Sequence, residues 1–465
     1  MSKKKSLLNL PRNYLIMDLV LLFGGFITIL NSTLIAPALP SIMHEMRIDA
    51  ATAQWLTTIF LLVSGIMIPV SAFLIGKYTT RTLFFVSMGI FTVGTYFCAS
   101  SHVVSVMLTG RVLQAIGAGV LMPMSQTIMM LTLPRELRGI GMGMVGLVMG
   151  FAPAFGPVAA GFMVDAFNWH ILFYSMIPLA VLTIILAFFY LENMGETKDE
   201  KLDIPSVIES TIGFGGLLYS FSVIGTSGFS WPAGVSFLVG AVALVIFFKR
   251  QLRMEKPMLN VAVLKNKQFL ISVILIMLVN ASLMIGGILN PIYIQDLRGY
   301  GAAVSGLIMF PASLVCALVS PLSGHMFDKF GPRMLVLPGF VLVAVFTIPM
   351  ATMTPTTSLV YLAAVYTVRM LGLAMINMPI TTWGLNALKN EDIAHGTAIG
   401  NTFRQVAGSL GTAILVTVMS LTVASADHPE SMLAQIHGIN MSFAGVIVFT
   451  TIAAVISFIY VKKED

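Results

Sequence analysis

Three arginines stand inside long apolar stretches: Arg111, Arg369 and Arg404. A guanidinium is always charged and carries five donors, so each needs partners from another segment or a polar cavity. Acidic residues in comparable stretches are few. Asp18 and Glu209 fall in first turns, where a carboxylate also favours a helix N-terminus. Asp18 precedes Asn31 by 13 residues, about 20 Å of helix at ~1.5 Å per residue, which places it near an interface rather than at mid-depth. Uncharged polar side chains are better placed for mid-depth: Asn31, Gln126, Asn280, Asn377, Asn401 and Gln405. Within hydrocarbon such residues mark ion or solute paths. Nothing fits Gly-x-x-x-x-Gly-Lys-[Ser/Thr], so nucleotide hydrolysis is not expected to drive the chain. The histidines (44, 102, 170, 325, 395, 428 and 437) are dispersed, and His44-Glu45 lacks the second histidine of a zinc motif. No metal, cofactor or catalytic site is expected.

The elements that must position these residues follow from composition. Of 465 residues, 57% are hydrophobic and 10% charged, too little charge to cover a soluble surface at about 25%. Stretches long enough to cross a ~30 Å hydrocarbon layer recur fourteen times, from 14–36 to 440–461. The net charge of +6 does not point to nucleic acid, because the cations are sorted by side. With the Lys-rich start placed inside, 21 of the 26 Lys and Arg lie in inside loops and ends, against Arg47 and Arg298 outside. That asymmetry fits an even span count in a cell membrane with both termini cytoplasmic. Cys98 and Cys316 fall mid-span and are expected to be free thiols. The first apolar stretch is too long for a cleavable signal, and Ala36-Pro37-Ala38 closes a full span.

The longest charged loops, 191–205 and 249–267, bracket one pair of spans at 206–226 and 233–248. Without that pair, six spans remain on either side. The expected domains are a bundle at 1–191, linkers with the inserted pair at 192–265, and a bundle at 266–465. A weak repeat supports this: Arg111 and Arg369 each precede a Met-Pro pair (Met122-Pro123 and Met378-Pro379) by about three turns, and repeats of this kind place a site at mid-depth between the halves. Span 5 carries Gly146, Gly150, Pro153, Gly156, Pro157 and Gly161. The glycines permit close helix approach and the prolines a bend, together an expected hinge.

Taken together, these patterns resemble the major facilitator superfamily, in particular its fourteen-span drug:proton antiporters of the QacA, EmrB and LmrB type, with the LmrB branch nearest. The likeness spans nearly the whole chain. It rests on Leu30-Asn31-Ser32-Thr33 with Ala38-Leu39-Pro40, on Gly110-Arg111 through Gly119, on Pro153 through Gly161 with Trp169, and on Pro291-Ile292-Tyr293-Ile294-Gln295 and Asn401-Thr402-Phe403-Arg404-Gln405. It implies an all-α major facilitator fold of six, two and six helices, acting as a monomer that exports amphipathic drugs in exchange for protons. Coupling roles are expected for Arg111, Asp18 and Glu209 as ionisable residues within spans, and the resemblance adds Asp328 and Arg333 as a gate. The polar residues at mid-depth, Asn31, Gln126, Asn280, Asn377, Asn401 and Gln405, together with Tyr293, are expected to line the cavity, with small drugs, protons and lipids as partners. Two departures stand out. Asn31 occupies the place of the usual aspartate, and the loop motif after span 2 (Gly76–Arg81) lacks its aspartate, whereas the copy at Gly324–Arg333 keeps Asp328, Gly331 and Arg333 as a cytoplasmic latch. Transport of an endogenous solute or lipid, and a non-transporting membrane scaffold or sensor, are the competing readings.

Overall fold

Fourteen long helices account for nearly all of the computed structural model, which describes residues 12–194, 202–228 and 230–461. They are α1 (Arg12–Met46), α2 (Ala50–Lys77), α3 (Thr80–Ala99), α4 (Val104–Thr132), α5 (Arg138–Ala166), α6 (His170–Tyr190), α7 (Ile204–Ser227), α8 (Trp231–Arg253), α9 (Lys267–Pro291), α10 (Ala302–Phe330), α11 (Arg333–Thr347), α12 (Leu359–Asn386), α13 (Ile393–Ala424) and α14 (Met432–Tyr460). Each supplies a segment long and apolar enough to cross a bilayer, α11 with its 3-10 extension to Thr352. Only helices satisfy every backbone polar group within one segment in hydrocarbon, and the rows of exposed Leu, Ile, Val and Phe on α6, α8 and α14 face lipid. The even count returns both described ends to one face, called here the terminal face. The first helix outruns its expected span: it continues through Pro37 and Pro40 to Met46, so Ala36-Pro37-Ala38 does not end it.

Three apolar cores organise the helices. One lies within α1–α6 and includes Met17, Phe84, Phe91, Trp169 and Phe173. A second lies within α9–α14 and includes Tyr293, Phe340, Tyr366, Trp383 and Phe443. The third joins the two halves and α7–α8 from the terminal side, through Phe73, Met130, Met142, Phe247, Leu259, Phe269, Leu385 and Ile399. The expected inserted pair attaches through α7, which packs on α2 and α13, while α8 packs mainly on α7. Its helices meet at glycines, since a Cβ on Gly216 would come within 3.0 Å of Gly240 Cα. Trp55 of α2 stacks on Tyr219 of α7.

The segment between α8 and α9 is tied on both sides. Gln251 donates to Ser206 Oγ at 2.6 Å and accepts from Leu259 N at 3.0 Å. Asn260 donates to Asp392 at 2.9 Å. At the start of α7, Asp203 accepts from Arg250 Nε and Nη2 at 2.7 and 2.9 Å. That fork holds the Asp203 carboxyl well below the usual carboxylate range, at about 2. A depressed folded-state pKa gives stability that is complete above the unfolded value of about 3.9 and is lost as the pH falls through about 2. Thermal unfolding of Asp203→Asn in detergent is therefore expected to start below wild type at neutral pH. The difference should hold constant down to about pH 5 and close between about pH 4 and 2; a difference that ignored acid would remove the pairing as its cause.

Candidate functional site

The buried arginines are solved by side chains and carbonyls of neighbouring helices. Arg111 is fully buried in α4. It donates from Nε to Leu56 O at 2.9 Å and from Nη1 to Gln114 Oε1 at 3.0 Å, with its plane 4.4 Å from the Phe60 ring. Gln114 in turn donates to Thr95 Oγ1 at 3.0 Å and to Asn31 Oδ1 at 3.4 Å. The network thus runs from α2 through α4 to α1, and Arg111 Nη2 and Asn31 Nδ2 end it without partners. No ion pair to Arg111 occurs among the described residues. Gln114 was missed as a site residue, although its place three residues after Arg111 put both on one helix face. Arg369 is the counterpart in the second half: it donates to Thr347 Oγ1 at 3.1 Å and to Ser282 Oγ at 2.8 Å.

Between the halves, α5 and α10 meet at the terminal side with no room for side chains. A Cβ on Gly143 would lie 2.6 Å from Ser320 O and 2.8 Å from Pro321 Cα, one on Gly146 would strike Met378 and Ser320, and one on Gly150 would lie 3.0 Å from Ala317 Cα. Gly139 and Gly324 touch backbone to backbone. There Asp328 bonds the first amides of α5, accepting from Gly139 N at 2.7 Å and Ile140 N at 2.8 Å. A carboxylate is favoured at a helix N-terminus by unpaired N–H groups and the helix dipole. Arg138 reaches Asn386 and Asn390 at 3.3 Å, Asn401 donates to Gln126 Oε1 at 2.7 Å, and Arg404 bonds Thr381 at 3.0 Å while facing Met149. Among the described residues, the hydrogen bonds joining the halves lie within about 20 Å of the terminal face, counting ~1.5 Å per residue. Toward the opposite face Phe162 is 76% exposed and Leu307 72%. The crevice around Gln126, Thr381, Thr397 and Asn401 has room for about one water, so this side is shut.

Several expected placements are revised. Arg333 does not pair with Asp328; it lies exposed beside the Phe458 ring, and the amides of α5 take the carboxylate instead. Tyr293 lines no cavity: its hydroxyl donates to Thr354 O at 2.6 Å and accepts from Arg298, bracing the opposite face. Asn280 donates back to Ile276 O of its own helix. Asp18 is buried, accepting from Thr132 Oγ1 at 3.0 Å. Glu209 keeps one buried oxygen without a hydrogen bond, as does Asn377, while Gln405 sits beside Gly65 of α2. The span-5 motif divides. Gly156 packs on Thr33 of α1, Gly161 meets nothing within 4 Å, and α5 runs unbroken through Pro153 and Pro157.

Asp328→Ala is expected to strip two charge-assisted bonds, worth about 1.5–3 kcal/mol each, from the closed side. A cysteine reporter at Gln126 should then be labelled from the terminal face at least tenfold faster, in a protein that still folds.

Two six-helix halves, each with its own buried arginine and hydrogen-bonded to one another near the terminal face, define a membrane carrier. The chain belongs to the Major Facilitator Superfamily, whose family model matches residues 21–412. It is 44% identical over 455 residues to an uncharacterized MFS-type transporter, YcnB, of Bacillus subtilis, covering 98% of this chain and 96% of that one. To the lincomycin resistance protein LmrB of the same organism it is 38% identical, covering 86% and 84%. Its fold matches the crystal structure of the human organic anion transporter MFSD10 with a TM-score of 0.68 at 12% identity, covering 96% of this chain and all of that one.

Proposed function

We propose that this chain is a proton-driven exporter of amphipathic drugs working by alternating access. Its halves are residues 1–191 and 266–465, with 192–265 as linkers and inserted pair, its termini are cytoplasmic, and it works as a monomer. The reading is carried by one observation above all: among the described residues, the hydrogen bonds between the halves and the apolar core they share cluster toward the terminal side. A carrier held shut at one face is half of an alternating cycle, and the excess of cations on the terminal side supports placing that face in the cytoplasm. The state described is then outward-facing, the one from which a drug leaves. Resemblance to a lincomycin resistance protein supports bulky amphipathic cargo, and many methionines suit a seam that repacks around varied shapes. Asp18, Glu209 and Asp328 are the acids available for protons. Asp328 is bound only while α5 and α10 touch, so its environment changes with the cycle.

Proteoliposomes holding the purified chain, loaded with a drug panel including a lincosamide under an imposed pH gradient, test this. Gradient-dependent movement of at least one amphipathic drug is expected, reduced in Asp18→Asn or Glu209→Gln. Movement of none would remove drug export, and movement indifferent to the gradient in wild type would remove proton coupling.

A further inference from the structure

We propose a divalent transition-metal site of the Zn2+ class on the face opposite the chain ends, formed by Glu45, His102 and His170. The three come from separate elements: the last turn of α1, the connection between α3 and α4, and the first residue of α6. No sequence spacing links them, yet their ligand atoms all lie within 4.8 Å of one another, and the two imidazoles meet edge to face at 5.5 Å.

The tautomer of His170 makes the argument. Its Nδ1 lies 2.9 Å from Ala99 O, and a carbonyl only accepts, so Nδ1 carries hydrogen. In the neutral ring Nε2 is then a bare lone pair, yet it stands 3.0 Å from Glu45 Oε1, which also only accepts when ionised. Two acceptors aimed at each other need a proton between them, on the ring or on the carboxyl, or a metal ion. An imidazole whose far nitrogen donates to a backbone carbonyl is the usual arrangement of a metal-bound histidine. The carboxylate is oriented in the same manner: Trp169, buried and stacked 3.6 Å from the His170 ring, donates from Nε1 to Glu45 Oε2 at 2.8 Å. His170 is 12% exposed and Glu45 43%. His102 and His170 border an open pocket of about 380 Å³ with Ser100, Asn168 and Tyr174. Two imidazoles and one carboxylate with an open side give three protein ligands plus water. That donor set suits Zn2+, Ni2+ or Cu2+ rather than Mg2+ or Ca2+. All three ligands belong to the first half, so the ion ties α1, the α3–α4 connection and α6 together without bridging the seam.

The test uses the full-length purified chain without a polyhistidine tag, titrated with Co2+ at pH 7.5 while the visible d–d absorption is followed, then displaced with Zn2+. One equivalent with a saturating tetrahedral-type band is expected, together with a Zn2+-dependent rise in the unfolding midpoint. His102→Ala, on an exposed side chain, should abolish the band, and Trp169→Phe should weaken binding about 10–100-fold. His44→Ala, beside the cluster in sequence but outside it, should titrate as wild type. A wild-type chain without a saturating band, or a His102→Ala chain with an unchanged one, overturns the proposal and leaves His170 and Glu45 joined by a hydrogen bond alone.

Discussion

Gly143→Val is expected to insert, purify and bind drug while losing at least nine-tenths of transport, with Gly161→Val unaffected. The contrast is geometric. A first side-chain carbon at Gly143 would meet the backbone of α10 at Ser320 and Pro321, at 2.6 and 2.8 Å. Backbone atoms of a packed helix have no alternative rotamer, so α5 and α10 must separate. At Gly161 the same carbon meets nothing. Overpacking typically costs about 1–3 kcal/mol, and every 1.4 kcal/mol is tenfold in an equilibrium. Because the clash exists only where the halves touch, the whole penalty falls on the shut state, whose population drops about 5- to 150-fold. Cysteine accessibility from the two faces separates this from simple misfolding: labelling near Gln126 should rise from the terminal side and labelling near Phe155 should fall from the other. Equal transport by the two variants would show that the α5–α10 contact is not remade in each cycle.

The second large effect is at Arg111. Arg111→Met is expected to abolish gradient-driven transport without lowering the unfolding midpoint, and Arg111→Lys to abolish it as well. A buried guanidinium with no carboxylate beside it is retained against its own desolvation cost, and recovering that cost on replacement by methionine offsets the acceptors left at Gln114 and Leu56. Lysine keeps the charge but not the fork that reaches Leu56 O and Gln114 at once. Proteoliposome transport alongside calorimetry reads both quantities. A variant whose transport and stability fall together would make Arg111 a structural clamp.

Fourteen spans and the need of Arg111 for partners from elsewhere were legible in the sequence, because each follows from apolar length or the cost of burying a cation. What supplied those partners was not. Leu56 offers a backbone carbonyl, which leaves no trace in residue type. Asp328 has a basic neighbour in Arg333 that invites an ion pair, while the groups it binds are the amides of Gly139 and Ile140, 189 and 188 positions away. Tyr293 reads as a polar residue within an apolar run, and only the turn after α9 shows that it braces a loop. The histidine cluster fails for the same reason: three loop-end residues become neighbours only once α1, α3 and α6 are packed.

The core shared by both halves and the inserted pair has a thermal consequence. Under alternating access, Phe73, Met130, Phe247, Leu259 and Leu385 part and rejoin at each turnover, and wetting greasy surface raises heat capacity. Plots of log rate against reciprocal temperature should therefore curve instead of running straight.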